Sequence, residues 1–245
     1  MRPQEAWYSL SNCLCSNFST AWMRATSGGI SSARPILVDI GLQARASNGE
    51  RTGSHGKSPW LFVSLVIMAN PFFTIGHSKR PFSEFVGLLE EAQIQLVGDV
   101  RTVPRSRANP QYDRSVLPKS LREFHIEYEH FPELGGLRGK RANVDESVNA
   151  FWENPSFHNY ADHAMGEEFQ GGLRRLLNLG SDKRCAIMCA EAVWWRCHRR
   201  IIADHLLASG SAVFHILGRG RIERAHITPG AILDSMGTLS YPAKG

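Results

Sequence analysis

The stretch Arg184-Cys185-Ala186-Ile187-Met188-Cys189-Ala190-Glu191, followed after five residues by Cys197-His198-Arg199, decides how this chain reads. Its first seven residues form a short apolar run of strand length. Beyond Arg199, the residues Ile201, Ile202, Ala203, Leu206 and Leu207 recur at helical spacing, and Gly210 stands where a helix should stop. The spacing therefore predicts a buried strand, a turn carrying Trp194 and Trp195, and the first turn of a helix. Two thiols, a carboxylate, an imidazole and a guanidinium meet at one strand-to-helix turn.

Two interpretations of that turn compete. In the first, the cysteines are small buried apolar residues, Glu191 pairs with Arg196 or Arg199, and the tryptophans belong to the core. In the second, the unpaired N–H groups and dipole at the helix start favour a thiolate or a bound anion. For Cys185, inside the strand, both stand. For Cys197 and His198 the second is favoured, because Arg196, His198 and Arg199 add positive charge at the same place.

Working outward, strand and helix patterns alternate. Phe72 to Gly76 reads as a first strand leaving through His77 and Ser78. A helix opens near Pro81, with Ser83 or Ser78 as its cap. Gln95 to Val100 is a second strand with Asp99 and Arg101 at its exit. A loop with Arg105, Ser106 and Arg107 leads to a helix around Ser115–Phe124, with Pro118 at its start. Ile126 to Phe131 alternates as a third strand and runs into the basic, glycine-rich loop Pro132–Arg141. Residues 142–156 carry no clear pattern. A long helix is expected over Tyr160–Leu179, with Phe169, Leu173, Leu176 and Leu177 on one stripe, weakened by Gly171 and Gly172. The strand Ala212 to Leu217 follows the central unit, and Arg219–Ile227 reads as a basic tail. The fold class this predicts is α/β: three layers, a mostly parallel five-stranded sheet with helices on both faces, Rossmann-like.

Composition bounds the class. The 245 residues are 42% hydrophobic and 21% charged, with a formal net charge of +5. Residues 1–67 hold six of the 28 basic and three of the 23 acidic residues, leaving a nearly balanced 22 and 20 beyond them. An anion site must then be a local patch. Residues 1–67 are rich in Ser, Gly, Asn and Arg and read as a disordered leader, with Met68 as the true start and 68–245 as the α/β domain. A transit peptide is the rival reading of the leader. Five cysteines, two of them Cys13 and Cys15 in the leader, form no disulfide framework, which points to a reducing cytoplasm. The longest apolar run, Trp60 to Ala69, is about half the length of a membrane-spanning helix, so no membrane partner is expected.

In an open parallel sheet the ligand crevice lies at the carboxyl ends of the strands. His77 and Ser78 leave the first strand, Asp99 and Arg101 the second, Leu134-Gly135-Gly136 follows the third, and the thiol cluster follows the fourth. Thr74-Ile75-Gly76-His77-Ser78, Asp99-Val100-Arg101 with Pro104, Ser106 and Arg107, Leu134-Gly135-Gly136, Cys189-Ala190-Glu191 and Cys197-His198-Arg199, in that order, resemble the DUF488 family of uncharacterised proteins. The resemblance runs from about Phe73 to the region of Pro242. It implies an α/β fold, a start at Met68 and an active site on the matching residues. It implies no particular reaction.

Three chemistries fit these residues. In thiol catalysis, Cys197, or else Cys189, is the nucleophile, and His198, His77 or Glu191 handles protons. Arg101 and Arg199 would then hold an anionic substrate, and Asp99 would act as a base or simply fix Arg101 or His77. A metal site would use Cys189, Cys197, His198 and His77, but adjacent Cys197 and His198 are awkward joint ligands and no CxxC pair accompanies them. No cofactor is therefore expected. A binding module would line Arg105, Arg107, Arg138, Lys140, Arg141, Arg196, Arg199 and Arg200 along one edge, with Trp194 and Trp195 as stacking surfaces. His125, His158, His163 and His205 read as surface or helix-face residues, and Gly135-Gly136 lacks the context of a P-loop. The candidate substrate-binding set is Ser78, Arg101, Arg105, Gly135, Gly136, Arg199, Trp194 and Trp195. The expectation is an enzyme acting on an anionic, phosphate-bearing or nucleic-acid-related substrate. A non-catalytic nucleotide or nucleic-acid binding module is the alternative.

Overall fold

A computed structural model describes residues 70–235 and 237–243. The expectations for residues 1–67, including a start at Met68, lie outside them. The decisive stretch is a central strand, as its apolar run requires. In the chain-order numbering used from here, it is β4, Cys185–Cys189, every residue of which is buried. It pairs in parallel with β1, Phe72–Gly76, on one side and with β2, Leu96–Asp99, on the other. Beyond β2 lies β3, Glu127–His130, and beyond β1 lies β5, Val213–Gly218, both parallel. The register sets Gly76 beside Cys189 and Asp99 beside Met188, so the strand exits share one edge.

Helices cover both faces, as expected. Along β4 the side chains alternate: Cys185, Ile187 and Cys189 enter one core cluster, and Ala186 and Met188 enter the other. The second cluster takes α1, Phe82–Glu91, and α2, Leu117–Arg122, through Phe85, Leu88, Leu89, Leu117 and Leu121. The first takes α3, Pro155–Ala164, α4, Glu167–Asp182, and α5, Arg199–Ala208, through Tyr160, Phe169, Leu176, Ile201 and Leu206. Burial of each such side chain contributes about 1.5–3 kcal/mol. Gly210, at φ +88°, ends α5 in the left-handed conformation its sequence position predicts.

Four expectations need correction. The sheet has six strands in the order β3-β2-β4-β1-β5-β6, because Arg221–Arg224, read as a basic tail, folds back as β6, antiparallel to β5. Gly220, at φ +63°, makes that turn possible. The long helix over Tyr160–Leu179 is two helices, α3 and α4, separated by Met165 and by Gly166, which is extended (φ −91°, ψ 158°). There the Gln170 side chain donates to the Ala164 carbonyl (2.7 Å), a bond that the broken helix end needs and a continuous helix does not. The unassigned residues 142–156 contain the true start of α3, where the Asn154 side chain accepts from Ser156 N–H. Neither serine caps α1: Pro81 occupies the N-cap, and Ser78 lies in the preceding turn at φ 47°.

After β6 a two-stranded hairpin, β7 (Ile232–Leu233) and β8 (Leu239–Ser240), closes the described chain. A buried polar network fastens this segment to α5. Asp204 accepts from Thr228 N–H (2.9 Å) and from the Tyr241 hydroxyl (3.0 Å), and Tyr241 N–H donates to Asn149 (3.1 Å). No helix among the described residues is long and apolar enough to cross a membrane.

Candidate active site

The two cysteines of the site arrive by different routes. Cys189 is the last residue of β4, on the face toward α3, α4 and α5. The chain then crosses over the end of β1, so closely that a Cβ on Gly76 would collide with the Glu191 carbonyl oxygen. It makes a 3-10 turn, Trp194–Arg196, and delivers Cys197 immediately before α5, with His198 at the N-cap. Cys185, on the same face of β4 but at its start, is wholly enclosed, and burial pushes its thiol up to about 12. Cys185 is thus a core residue.

At the turn, Cys197 is surrounded by hydrogen-bond partners. Arg199 Nε donates to its Sγ at 3.3 Å, and His198 Nδ1 lies 3.6 Å from it. His198 Nε2 donates to the Val100 carbonyl at 2.8 Å, and this directs the other ring nitrogen, Nδ1, toward the thiol. The Cys189 thiol also bonds to Cys197 while taking the Glu191 backbone N–H. Burial acts to raise the Cys197 pKa. The Cys189 bond, His198 and Arg199 outweigh it, holding Cys197 well below an ordinary thiol. The hydrogen bond to Cys197, with burial, raises Cys189 in turn.

A second polar group stands beside the thiols. Asp99 and Arg101 form a buried ion pair, Nε to Oδ1 at 2.8 Å and Nη2 to Oδ2 at 2.5 Å, and the Tyr128 hydroxyl also donates to Asp99 at 2.8 Å. Arg101 continues to the Tyr112 carbonyl (2.7 Å) and, through Nη1, donates to His77 Nε2 (3.3 Å). Because Nε2 accepts, His77 Nδ1 donates to the Ser78 carbonyl at 2.9 Å. Burial lowers the His77 pKa to about 4, so the ring is neutral, stacked on Tyr112 with centroids 4.1 Å apart. Of the two sequence readings of Asp99, the one in which it fixes Arg101 fits this geometry.

These groups open onto a cavity of about 450 Å³. Cys189, Cys197 and His198 line it, with His77, Arg101 and Gly136 beside them. Arg105, Ser106, Glu191 and Arg196 supply polar lining, while Val103, Leu137 and Phe157 supply an apolar one. Leu137 is 80% exposed and Val103 60%, so the apolar part faces solvent. Gly136 has a packing role: a Cβ there would run into His198 Nδ1.

Six of the sequence-predicted residues do not line the cavity. Asp99 lies behind Arg101, and Ser78 sits in the β1–α1 turn, donating its N–H to the Ala190 carbonyl (2.9 Å). Gly135 presses against Thr102. Arg199 is buried and spends its guanidinium on Cys197 Sγ and the Glu191 carbonyl, which makes it an orienting cation rather than a substrate clamp. Trp194 stacks face to face on His215 (4.1 Å, 10°), and Trp195 stands edge-on to Trp194, 49% exposed. Neither ring is part of the cavity lining. Sequence reasoning missed Tyr112, Tyr128, Phe157 and Tyr160. No local signal in the sequence distinguishes them from ordinary core aromatics.

Cys189 Sγ, Cys197 Sγ and a ring nitrogen of His198 all lie within 4.8 Å of one another, a spacing that admits a metal ion. His77 does not join the group. Comparison with known proteins adds a family. The model of the domain of unknown function DUF488 matches residues 81–206, just over half of the chain. The chain belongs to the DUF488 family. The matched stretch is shorter than the Phe73-to-Pro242 span of the resemblance. It takes in Asp99, Arg101, both glycines and the thiol cluster of this DUF488 domain, and leaves His77 and Ser78 before it. No curated protein and no solved structure matches the chain.

Proposed function

We propose that this DUF488 protein is a thiol-dependent enzyme, with Cys197 as nucleophile and an anionic, phosphate-bearing substrate. The observation that carries the reading is the placement of Cys197 Sγ on a cavity wall, between Arg199 Nε (3.3 Å) and His198 Nδ1 (3.6 Å). Both partners favour the thiolate, and the nucleophile, its proton acceptor and an orienting group stand together. Arg105 and Arg196, on the same cavity, receive the anion, and Val103, Leu137 and Phe157 take an apolar or planar part of the substrate.

In the proposed step the Cys197 thiolate attacks phosphorus, so an S–P bond forms and the ester P–O bond breaks. The leaving oxygen takes from His198 Nδ1 the proton which that nitrogen accepted from Cys197, and water, giving a proton to Nδ1, then cleaves the S–P bond and returns the thiolate. Cys189 acts through Cys197 by donating its S–H bond to the thiolate. The binding-module alternative is weakened by two features. Neither tryptophan lines the cavity, and several of the counted cations are spent internally: Arg138 on the Gly135, Pro132 and Glu133 carbonyls, Lys140 on Glu146, and Arg200 on Thr228.

The test is residue-resolved alkylation by iodoacetamide of the full chain carrying Cys13→Ser and Cys15→Ser, followed by a screen of phosphate esters. Cys197 should react first and Cys185 last, and Cys197→Ser should abolish any turnover found. A Cys197 no faster than Cys185, or turnover surviving Cys197→Ser, would sink the proposal.

A further inference from the structure

The thiol cluster has a second chemistry built into its geometry. We propose that Cys189, Cys197 and His198 form a three-ligand zinc site whose fourth position opens on the cavity, and that zinc and the nucleophilic use of Cys197 exclude each other. This rests on the reading of the cavity wall as a functional thiol site and adds a ligand that would silence it.

Three observations support the site. The first is ligand spacing. Tetrahedral zinc, with Zn–S of about 2.3 Å and Zn–N of about 2.0 Å, separates its sulfur and nitrogen ligands by about 3.6 Å. Cys197 Sγ and His198 Nδ1 stand 3.6 Å apart, and the Cys189 sulfur falls in the same group within 4.8 Å. The second is the tautomer. A zinc-bound imidazole characteristically donates its other N–H to a carbonyl or carboxylate. His198 Nε2 already does so to Val100 (2.8 Å), directing Nδ1 at the two sulfurs. The third is the outer contacts: Cys197 accepts from Arg199 Nε and Cys189 from Glu191 N–H, the donors that bound thiolates require.

The sequence objection was that neighbouring Cys197 and His198 are awkward joint ligands. The backbone removes it. Cys197 is extended (φ −130°, ψ 146°) and His198 helical (φ −55°, ψ −19°), so the chain turns between them and the two side chains converge. Two thiolates and an imidazole form a soft donor set that suits zinc over magnesium or calcium. With three protein ligands and a cavity beyond, the site would leave one coordination position for water or an anion.

The experiment uses the full chain with Cys13→Ser and Cys15→Ser, stripped by a chelator and titrated with zinc ion alone against a chromophoric competitor. Cobalt(II) alone is the spectroscopic probe, and iodoacetamide alkylation of Cys197 is followed with and without zinc. The expected result is one zinc per chain and a thiolate-to-cobalt charge-transfer band. Affinity should fall at least tenfold in Cys189→Ser and in His198→Gln, and zinc should slow alkylation of Cys197 at least tenfold. Absence of zinc uptake by the unsubstituted site overturns the proposal, and so does uptake that leaves Cys197 alkylation unchanged. Because those two readouts use the native site, misfolding of a variant does not shelter the proposal. A Cys197 that is selectively reactive without zinc uptake leaves the thiol reading intact. A zinc-binding site whose stripped form has an inert Cys197 ends that reading and the proposed exclusion with it.

Discussion

Two buried polar clusters involve α5, and they resolve the same energetic problem in opposite ways. Around Asp204, both carboxylate oxygens are met by protein donors, Thr228 N–H and the Tyr241 hydroxyl, and neither Asp204 nor its partners line the cavity. Around Cys197, Arg199 Nε donates to, and His198 Nδ1 faces, a sulfur that does line it. Taking polar groups out of water is costly in both places. In the first cluster the protein's own hydrogen bonds offset the cost and fasten the C-terminal segment. In the second they leave one reactive, largely buried sulfur on a cavity wall. A closed cluster stabilises, and an open one is available for chemistry.

The comparison breaks if changes at the open cluster behave like changes at the closed one. The largest effect belongs to Cys197→Ser, which should lower activity on the order of a thousandfold or more and shift stability by no more than about 1 kcal/mol. Activity assays and denaturant unfolding on the same samples check both halves. Next comes Gly136→Ala. Its methyl group would displace the His198 ring and should slow Cys197 alkylation about a hundredfold. An unchanged alkylation rate would show that His198 does not serve the thiol.

Asp99 sharpens the contrast, because it lies off the cavity while its partner Arg101 lines it. Asp99→Ala strands buried Arg101 and should cost about 3–5 kcal/mol in urea unfolding. Asp99→Asn should disturb the site geometry without creating a new pH dependence. The smaller effect is that of Tyr241→Phe, which removes one hydrogen bond to Asp204 and should cost about 1 kcal/mol. Cys197 reactivity should be untouched, and a coupled loss would mean that the two clusters are not separate.

Stability against pH gives the finest test. Burial lowers His205 and His215 to about 4. The folded state therefore binds fewer protons than the unfolded one, and the stability present above about 6.5 is lost as pH falls toward 4. Asp204 works the other way, because burial raises it to about 6, so its contribution is present below the usual carboxylate range and lost as pH rises through 6. The two histidines outweigh the single carboxyl. The melting temperature should drop on acidification from pH 6.5 to 4, and Asp204→Asn should steepen that drop. A melting temperature flat across this window would contradict the buried, neutral histidines.

Much of the molecule was legible in the amino-acid order because local pattern reports it directly. Apolar runs marked β1, β2 and β4, helical spacing marked α5, and strand alternation with helices implied a parallel sheet whose exits share an edge. That was enough to bring Cys189, Cys197, His198, His77 and Arg101 together on paper. Local pattern was silent where contacts between distant residues decide the outcome. Only the fold paired β6 with β5, split α3 from α4 around Gly166, and turned Trp194 onto His215. It joined Asp99 to Tyr128, and His198 to the carbonyl of Val100, 98 positions earlier. Residue type and spacing are properties of the chain and survive in the sequence. Which lone pair faces which donor depends on partners far apart along it, and packing alone sets that.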